Sequence, residues 1–127
     1  MVKRVLVIED DFRIRMLLKR MLEKKFRMEV FEAEDGLQGL ETYRRTNPKM
    51  IFLDVAMPNM NGIEFLEAIR QEDPNIPVIV LTCYCEKETV DKMLRLGITD
   101  YIVKAEYITR LSERIESILE SNGLLVI

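Results

Sequence analysis

Short apolar runs alternate with amphipathic stretches along this chain, and this alternation restricts the possible fold more than any other feature. The apolar runs have the length of strands that are covered on both faces, as in a parallel sheet. Each run is followed by apolar residues at helical spacing. The predicted strands are residues 5–8, 28–33, 50–54, 78–81 and 100–103, and the predicted helices follow them, with the first at 12–25, the fourth at 86–96 and the last at about 107–121.

Five strands that alternate with five helices predict a doubly wound α/β fold. Right-handed crossovers between parallel strands place helices on both faces of the sheet. The length of 127 residues fits one domain with a single sheet. We therefore expect residues 1–127 to form one domain with no output domain. The apolar tail 124–127 is expected to pack back on the last helix, with self-association as the alternative.

Charge and composition narrow the function classes. The 22 acidic and 19 basic residues leave a formal net charge of −3, which gives no general attraction to nucleic acid or anionic membranes. No apolar run approaches the roughly 18 residues of a membrane span, so a cytoplasmic location without membrane insertion is expected. Cys83 and Cys85 are too close in sequence for a disulfide bond between them to link distant parts of a domain, and both are expected to be free thiols. The chain has no histidine, so any chemistry depends on carboxylates, hydroxyls and lysine.

Polar side chains end or directly follow four of the predicted strands. They are Glu9 and Asp10, Asp54, Thr82 and Lys104. The carboxyl ends of parallel strands meet at one edge of a sheet, which is where open α/β sheets bind ligands. We therefore expect these side chains to converge. Asp10 or Asp11 is also positioned to cap the first helix, and we assign the cap to Asp11.

Three carboxylates held together raise one another's pKa unless a cation lies among them. Oxygen ligands of this kind suit Mg²⁺, with Mn²⁺ as the alternative. A bound metal ion would let Asp54 act as a nucleophile toward phosphorus. Lys104 could pair with Asp54 and then with a phosphoryl oxygen, and Thr82 could donate to another. Phosphoryl transfer requires little beyond such placement and charge neutralisation.

A set of motif residues spans nearly the whole chain. It consists of Glu9-Asp10, Asp54-x-x-Met57-Pro58-x-x-x-Gly62, Thr82 and Lys104. In order and spacing, this set resembles the receiver domain of bacterial two-component response regulators, including the chemotaxis regulators. The resemblance implies a flavodoxin-like doubly wound five-stranded parallel sheet, in strand order 2-1-3-4-5, with five helices.

The resemblance also implies a role for each site residue. Asp54 would accept a phosphoryl group from a histidine kinase or a small phosphodonor. The metal ligands would be Asp10 directly, Glu9 through water, Asp54, and the backbone carbonyl of Ala56. Thr82 and Tyr101 would be the switch residues, and the face formed by the fourth helix and fifth strand would bind a downstream target protein. A sensor histidine kinase or phosphotransfer protein is the expected upstream partner, and a monomer or weak dimer the expected assembly.

Some positions depart from the family pattern. Ala105 stands where the family usually has a proline with a cis bond, so the Lys104–Ala105 peptide is expected to be trans or strained. Cys83 is still small, and its thiol should stay protonated beside an acidic site. Ala56 and Tyr84 occupy positions expected to tune hydrolysis. Tyr84 is expected to lean over the phosphoryl group and limit water access.

Three other functions remain open at this point. A Mg²⁺-dependent phosphatase with an aspartyl nucleophile usually has a second acid two residues after the nucleophile, where this chain has Ala56. A flavin- or nucleotide-binding module would need a glycine-rich phosphate loop after the first strand, where Glu9-Asp10-Asp11 stands instead. A degenerate receiver would keep the fold and act only by docking. The expected function is the phosphorylated receiver, with self-phosphorylation and autodephosphorylation but no enzymatic turnover.

Overall fold

The computed structural model describes residues 3–57, 59–83, 86–104 and 110–125, which form alternating strands and helices. The strands are β1 (Arg4–Ile8), β2 (Glu29–Ala33), β3 (Met50–Asp54), β4 (Val78–Thr82) and β5 (Asp100–Val103). The helices are α1 (Phe12–Lys24), α2 (Gly36–Thr46), α3 (Gly62–Glu72), α4 (Lys87–Arg95) and α5 (Leu111–Ser121). The predicted elements are therefore present, with small shifts of their described ends. The predicted start of the last helix, at about residue 107, lies outside the described residues.

The strands form one parallel sheet in the order β2-β1-β3-β4-β5. Both the fold class and the strand order predicted from the sequence are confirmed. β3 lies at the centre and pairs with β1 on one side and β4 on the other. All five of its residues are buried, which explains its nearly continuous apolar sequence.

Two hydrophobic clusters cover the two faces of the sheet. In β1, Val5 and Val7 belong to the cluster beneath α1 and α5, while Leu6 and Ile8 belong to the cluster beneath α2, α3 and α4. This division follows from the alternation of side chains along a strand. Because both faces are covered, the exposed part of the sheet is its edge, where the loops and the polar residues lie.

Side-chain caps begin the first three helices. The carboxylate of Asp11 accepts hydrogen bonds from the backbone N–H groups of Arg13 and Ile14, so the cap assigned to Asp11 is confirmed. Asp35 caps α2 by accepting from Gln38 N–H. Asn61 and Glu64 form a reciprocal capping box on α3, an arrangement that satisfies two otherwise unpaired donors.

The apolar periodicity overstates the buried faces of three helices. Leu17, Leu37 and Leu94 are among the apolar residues that follow the strands at helical spacing, yet they are 43%, 56% and 56% exposed. In α1, the buried stripe is instead formed by Arg15, Leu18 and Leu22. Periodicity therefore identified the helices, whereas the packing of neighbours decided which residues are covered.

The carboxyl-terminal tail packs where the sequence predicted. Leu124 and Leu125 are partly buried against the cluster beneath α1 and α5, and Lys3 donates a hydrogen bond to the Leu124 carbonyl at 3.0 Å. The rest of the predicted tail lies outside the described residues. No helix among the described residues is long and apolar enough to cross a membrane.

Candidate phosphoryl-acceptor site

Asp54 ends the central strand at the carboxyl edge of the sheet. It pairs in register with Leu81 of β4 and is 1% exposed. The backbone N–H of Val55, the next residue, donates to the Leu81 carbonyl at 3.2 Å. The backbone pairing of β3 with β4 therefore continues one residue past Asp54. This pairing fixes the backbone that carries the Asp54 carboxylate.

Glu9 and Asp10 follow the neighbouring strand β1. Glu9 is completely buried, and its backbone N–H donates to Ala33 at the end of β2 at 3.0 Å. One carboxylate oxygen of Glu9 accepts from the backbone N–H of Asp11 at 3.1 Å. Asp10 is exposed, and one carboxylate oxygen from each of Glu9, Asp10 and Asp54 lies within 4.8 Å of the others. The convergence predicted from the strand ends is therefore present.

Lys104 follows β5 and places its ammonium between two of these carboxylates. The Nζ atom lies 2.8 Å from Glu9 Oε1 and 3.1 Å from Asp54 Oδ1. Burial disfavours the charged form of Lys104, but the hydrogen bond to Glu9 and the negative charge of Asp54 outweigh it and raise the pKa of the ammonium. Lys104 is therefore a permanent positive charge at this edge of the sheet.

The environment of Asp54 opposes its ionisation. Burial of the carboxyl, followed by the nearby Glu9 carboxyl and its charge, raises the pKa of Asp54 to about 8, although Lys104 acts in the opposite direction. The Oδ1 atom is engaged by Lys104 and by the backbone N–H of Ala56 at 3.3 Å. The Oδ2 atom is buried and has no hydrogen-bond partner in the described part of the chain. A single lysine therefore does not satisfy this group of carboxylates.

The donor set fits a hard divalent cation. Glu9, Asp10 and Asp54 supply carboxylate oxygens close enough to share one ion, and Mg²⁺ prefers such ligands together with water. The buried Oδ2 of Asp54 needs a positive or hydrogen-bonding group. Ala56 follows Asp54 closely and is exposed, so its carbonyl remains a predicted ligand.

Thr82 and Tyr101 lie on the two strands beyond β3. Thr82 ends β4, is 5% exposed and pairs in register with Val103, the residue before Lys104. Tyr101 pairs in register with Val80 and is partly buried against the cluster beneath α2, α3 and α4. Their switch roles remain predictions.

Tyr84 and Ala105 lie outside the described residues, so the expectations about hydrolysis and the Lys104–Ala105 peptide remain predictions as well. Cys83 is an exposed free thiol.

Arg15 is a site residue that the sequence analysis missed. Its side chain is 8% exposed, and its Nη1 donates to the backbone carbonyl of Glu9 at 2.7 Å. Its Nε pairs with Glu32 of β2 at 3.2 Å. Arg15 thereby links the backbone at Glu9, directly after β1, to the neighbouring strand β2. Its position in the sequence was the one indication of this role. Arg15 lies one helical turn before Leu18 and two turns before Leu22, and therefore on the face of α1 that is buried.

Gly62 makes a close backbone approach to Asp54, and we expect Gly62→Ala to lower the free energy of unfolding by about 1–3 kcal/mol. A Cβ atom there would lie 2.6 Å from both the Asp54 carbonyl oxygen and Val55 Cα, so backbone would have to move. Urea unfolding measures the loss. Gly39→Ala is the matched helical control. Its Cβ would meet side chains and not backbone, the end of Ile8 at 2.6 Å and the ring of Phe65 at 3.1 Å, so this variant should cost less. An equal or smaller loss in Gly62→Ala would contradict the close-approach argument.

Comparison with known proteins gives consistent matches over nearly the whole chain. The family model for the response regulator receiver domain matches residues 5–116. The chemotaxis protein CheY of Thermotoga maritima is 32% identical over 116 residues, which cover 91% of this chain and 97% of that protein. Sporulation initiation phosphotransferase F of Bacillus subtilis is 30% identical over 117 residues, covering 92% and 94%. The crystal structure of a CheY-like receiver domain protein from Methanospirillum hungatei has a TM-score of 0.84 at 28% identity, covering 97% of this chain and 98% of that one.

Proposed function

This chain belongs to the response regulator receiver domain family, and from that premise we propose that Asp54 accepts a phosphoryl group in a Mg²⁺-dependent reaction. The observation that carries the proposal is the state of the Asp54 carboxylate. It is buried, one oxygen is held by Lys104 and Ala56 N–H, and the other has no hydrogen-bond partner among the described residues. Such a group is costly for the fold, and a role as phosphoryl acceptor accounts for it.

The residues that would hold Mg²⁺ are Glu9, Asp10 and Asp54, with the carbonyl of Ala56 as a further ligand. The fit rests on the spacing of the three carboxylates and on the unpartnered oxygen of Asp54. When bound, the ion neutralises the negative charge that carboxylates and phosphoryl oxygens would otherwise concentrate at this edge. Mn²⁺ is the alternative ion, since it accepts the same oxygen ligands.

In the proposed step, a carboxylate oxygen of Asp54 forms a bond to phosphorus. The bond that breaks is the P–N bond of a phosphohistidine or the P–O bond of an acyl phosphate, and the leaving imidazole or carboxylate keeps the electron pair. Lys104 lies 3.1 Å from Asp54 Oδ1, so its ammonium can neutralise the phosphoryl oxygens as they arrive. Thr82, at the end of the next strand, is the predicted hydroxyl donor. Placement and charge neutralisation supply most of the catalysis in reactions of this type.

The consequence of phosphorylation that we propose is a change in partner binding. A phosphoryl group adds charge and acceptor oxygens beside Thr82 and Lys104. Thr82 and Tyr101 would respond, and the face formed by α4 and β5 would then bind a downstream target protein. A sensor histidine kinase or phosphotransfer protein would supply the phosphoryl group in the cytoplasm. The protein would act as a switch and not as a turnover enzyme.

We expect one phosphoryl adduct when the protein is incubated with acetyl phosphate and Mg²⁺ and its intact mass is measured. Asp54→Asn should show no adduct because the acceptor oxygen is lost. EDTA should abolish the adduct of the wild type because the carboxylates then repel the phosphodonor. Circular dichroism of each sample establishes that the protein is folded.

Two outcomes would contradict the proposal. A folded wild-type protein that gains no adduct from acetyl phosphate or from a phosphorylated histidine kinase would be a degenerate receiver. Steady release of phosphate from phosphomonoesters would instead favour the aspartyl phosphatase. Ala56, where that class has a second acid, argues against the phosphatase because a general acid for the leaving group is missing at that position.

A further inference from the structure

Two loops at the carboxyl edge of the sheet are joined by a pair of hydrogen bonds. The loop between β2 and α2 contains Asp35, and the loop between β3 and α3 contains Asn59. Asn59 Nδ2 donates to Asp35 Oδ2 at 2.9 Å. The backbone N–H of Gly36 donates to the carbonyl of Met60 at 3.0 Å. We call this pair of contacts the loop clamp.

The Asp35 side of the clamp is fixed by the fold. Asp35 is 7% exposed, and its other carboxylate oxygen caps α2 by accepting from Gln38 N–H at 2.9 Å. The hydrogen bond from Gln38, followed by that from Asn59, holds the pKa of Asp35 below its ordinary value. The carboxylate is therefore charged at neutral pH and anchored to a helix, so it offers a rigid acceptor to the second loop.

The Asn59 side of the clamp belongs to the loop that leaves Asp54. Asn59 has a φ of 63°, a left-handed conformation that asparagine tolerates better than most residues. The loop closes where the Gly62 N–H donates to the Val55 carbonyl at 2.9 Å. Ala56, which lies between Val55 and Asn59, donates its backbone N–H to Asp54 Oδ1. A shift of Asn59 would therefore be transmitted to the backbone beside Asp54.

Asp35 and Asn59 are not among the residues that would touch the metal ion or the phosphoryl group. We propose that Asp35 and Asn59 are positioning residues for the metal site, holding the loop after β3 at the place where Asp54 and the Ala56 carbonyl share one cation. The inference rests on the proposed function, because it concerns the same site. Hydrogen bonds behind metal ligands commonly control affinity without contact to the ion.

Charge-matched variants test the proposal. Asn59→Gly removes the donor, adds no charge and keeps the left-handed backbone accessible. Asn59→Asp places a carboxylate against Asp35. The exchange Asp35→Asn with Asn59→Asp reverses the polarity of the hydrogen bond, conserves the net charge and retains a good N-cap at residue 35. Asn75→Asp, at an exposed position between α3 and β4, controls for the added charge alone.

The first measurement is the dissociation constant for Mg²⁺ alone, determined by isothermal titration calorimetry. We expect Asn59→Gly to raise the dissociation constant about 10-fold and Asn59→Asp to raise it more, because loss of a hydrogen bond behind metal ligands typically costs about 10- to 100-fold in affinity. The exchange variant should bind within about 2-fold of the wild type. Asn75→Asp should be indistinguishable from the wild type.

The second measurement is hydrogen exchange of the Gly36 and Gly62 amides by NMR in the presence of EDTA. Exchange should be faster in both single variants at Asn59 and should return to the wild-type rate in the exchange variant. This readout needs neither metal nor phosphorylation. If Asn59→Asp does not fold, Asn59→Gly and the exchange variant still provide the comparison.

Each outcome has a defined meaning. Restoration of Mg²⁺ affinity and amide protection in the exchange variant supports the positioning role. Wild-type affinity in both single variants, or weak binding in a folded exchange variant, would overturn it while the proposed function stands. A wild-type protein that binds no Mg²⁺ would refute the metal dependence of the proposed function and this inference together.

Discussion

Replacement of Lys104 by methionine is expected to lower the free energy of unfolding of the metal-free protein by about 3–5 kcal/mol at neutral pH. The variant leaves Glu9 and Asp54, which are 0% and 1% exposed, without the ammonium that lies within 2.8 and 3.1 Å of them. Methionine fills a similar volume, so the loss reflects charge more than packing. Urea unfolding in EDTA measures it.

The matched control is Lys92→Met. Lys92 also pairs with a glutamate, Glu67 at 3.8 Å, but both side chains are about half exposed. Exposed pairs contribute only about 0–1 kcal/mol. An equal loss in the two variants would show that Lys104 does not act through the buried carboxyl groups.

Replacement of Asp54 by asparagine is expected to have the opposite effect on the metal-free protein. We expect Asp54→Asn to raise the free energy of unfolding at about pH 8 by roughly 2–4 kcal/mol. Burial and Glu9 raise the pKa of Asp54 from the ordinary 3.8 to about 8. The amide has a similar shape but carries no charge into this environment.

The sign of the pH dependence follows from proton binding. Between about pH 4 and pH 8 the folded wild type retains a proton on Asp54 that the unfolded chain has lost. The stabilisation from this group is therefore complete below about pH 4 and is lost as the pH rises toward 8. Asp54→Asn should remove this slope. Its difference from the wild type should be small at about pH 4 and largest at about pH 8.

Urea unfolding in EDTA across this pH range measures the effect, with Asp91→Asn on α4 as the matched control. Addition of Mg²⁺ should stabilise the wild type, because an ion that binds only the folded state shifts the unfolding equilibrium. It should stabilise Asp54→Asn much less. A parallel pH profile in wild type and Asp54→Asn would contradict the assignment of the raised pKa to Asp54.

Much of the site could be predicted because the carboxyl end of a parallel strand has a defined location. The strand order implied by the family resemblance makes residues 5–8 and 50–54 neighbouring strands, so Glu9 and Asp54 were expected to approach each other. Lys104 follows the last strand, whose carboxyl end lies at the same edge of the sheet. The buried positions of these residues follow from apolar runs covered on both faces.

Other features depend on contacts between loops that are distant in sequence. Nothing in the local pattern pairs Asp35 with Asn59, 24 residues away. Arg15 looks like an ordinary polar position of an amphipathic helix until the Glu9 carbonyl and Glu32 are placed beside it. Gly62 is a motif residue in the sequence, but only the structure shows that a Cβ atom would meet the backbone at Asp54.

The sequence by itself determined the order of strands and helices, the edge at which the carboxylates meet, and the family to which the chain belongs. These follow from local periodicity, from the handedness of crossovers and from motif spacing, which act along the chain. Only the tertiary structure determined the charge state of Asp54 and the contacts between loops that hold the site in place. Burial, together with the proximity of Glu9 and Lys104, sets the pKa of Asp54, and contacts between loops hold its backbone. Both depend on distances in space that no spacing in sequence encodes.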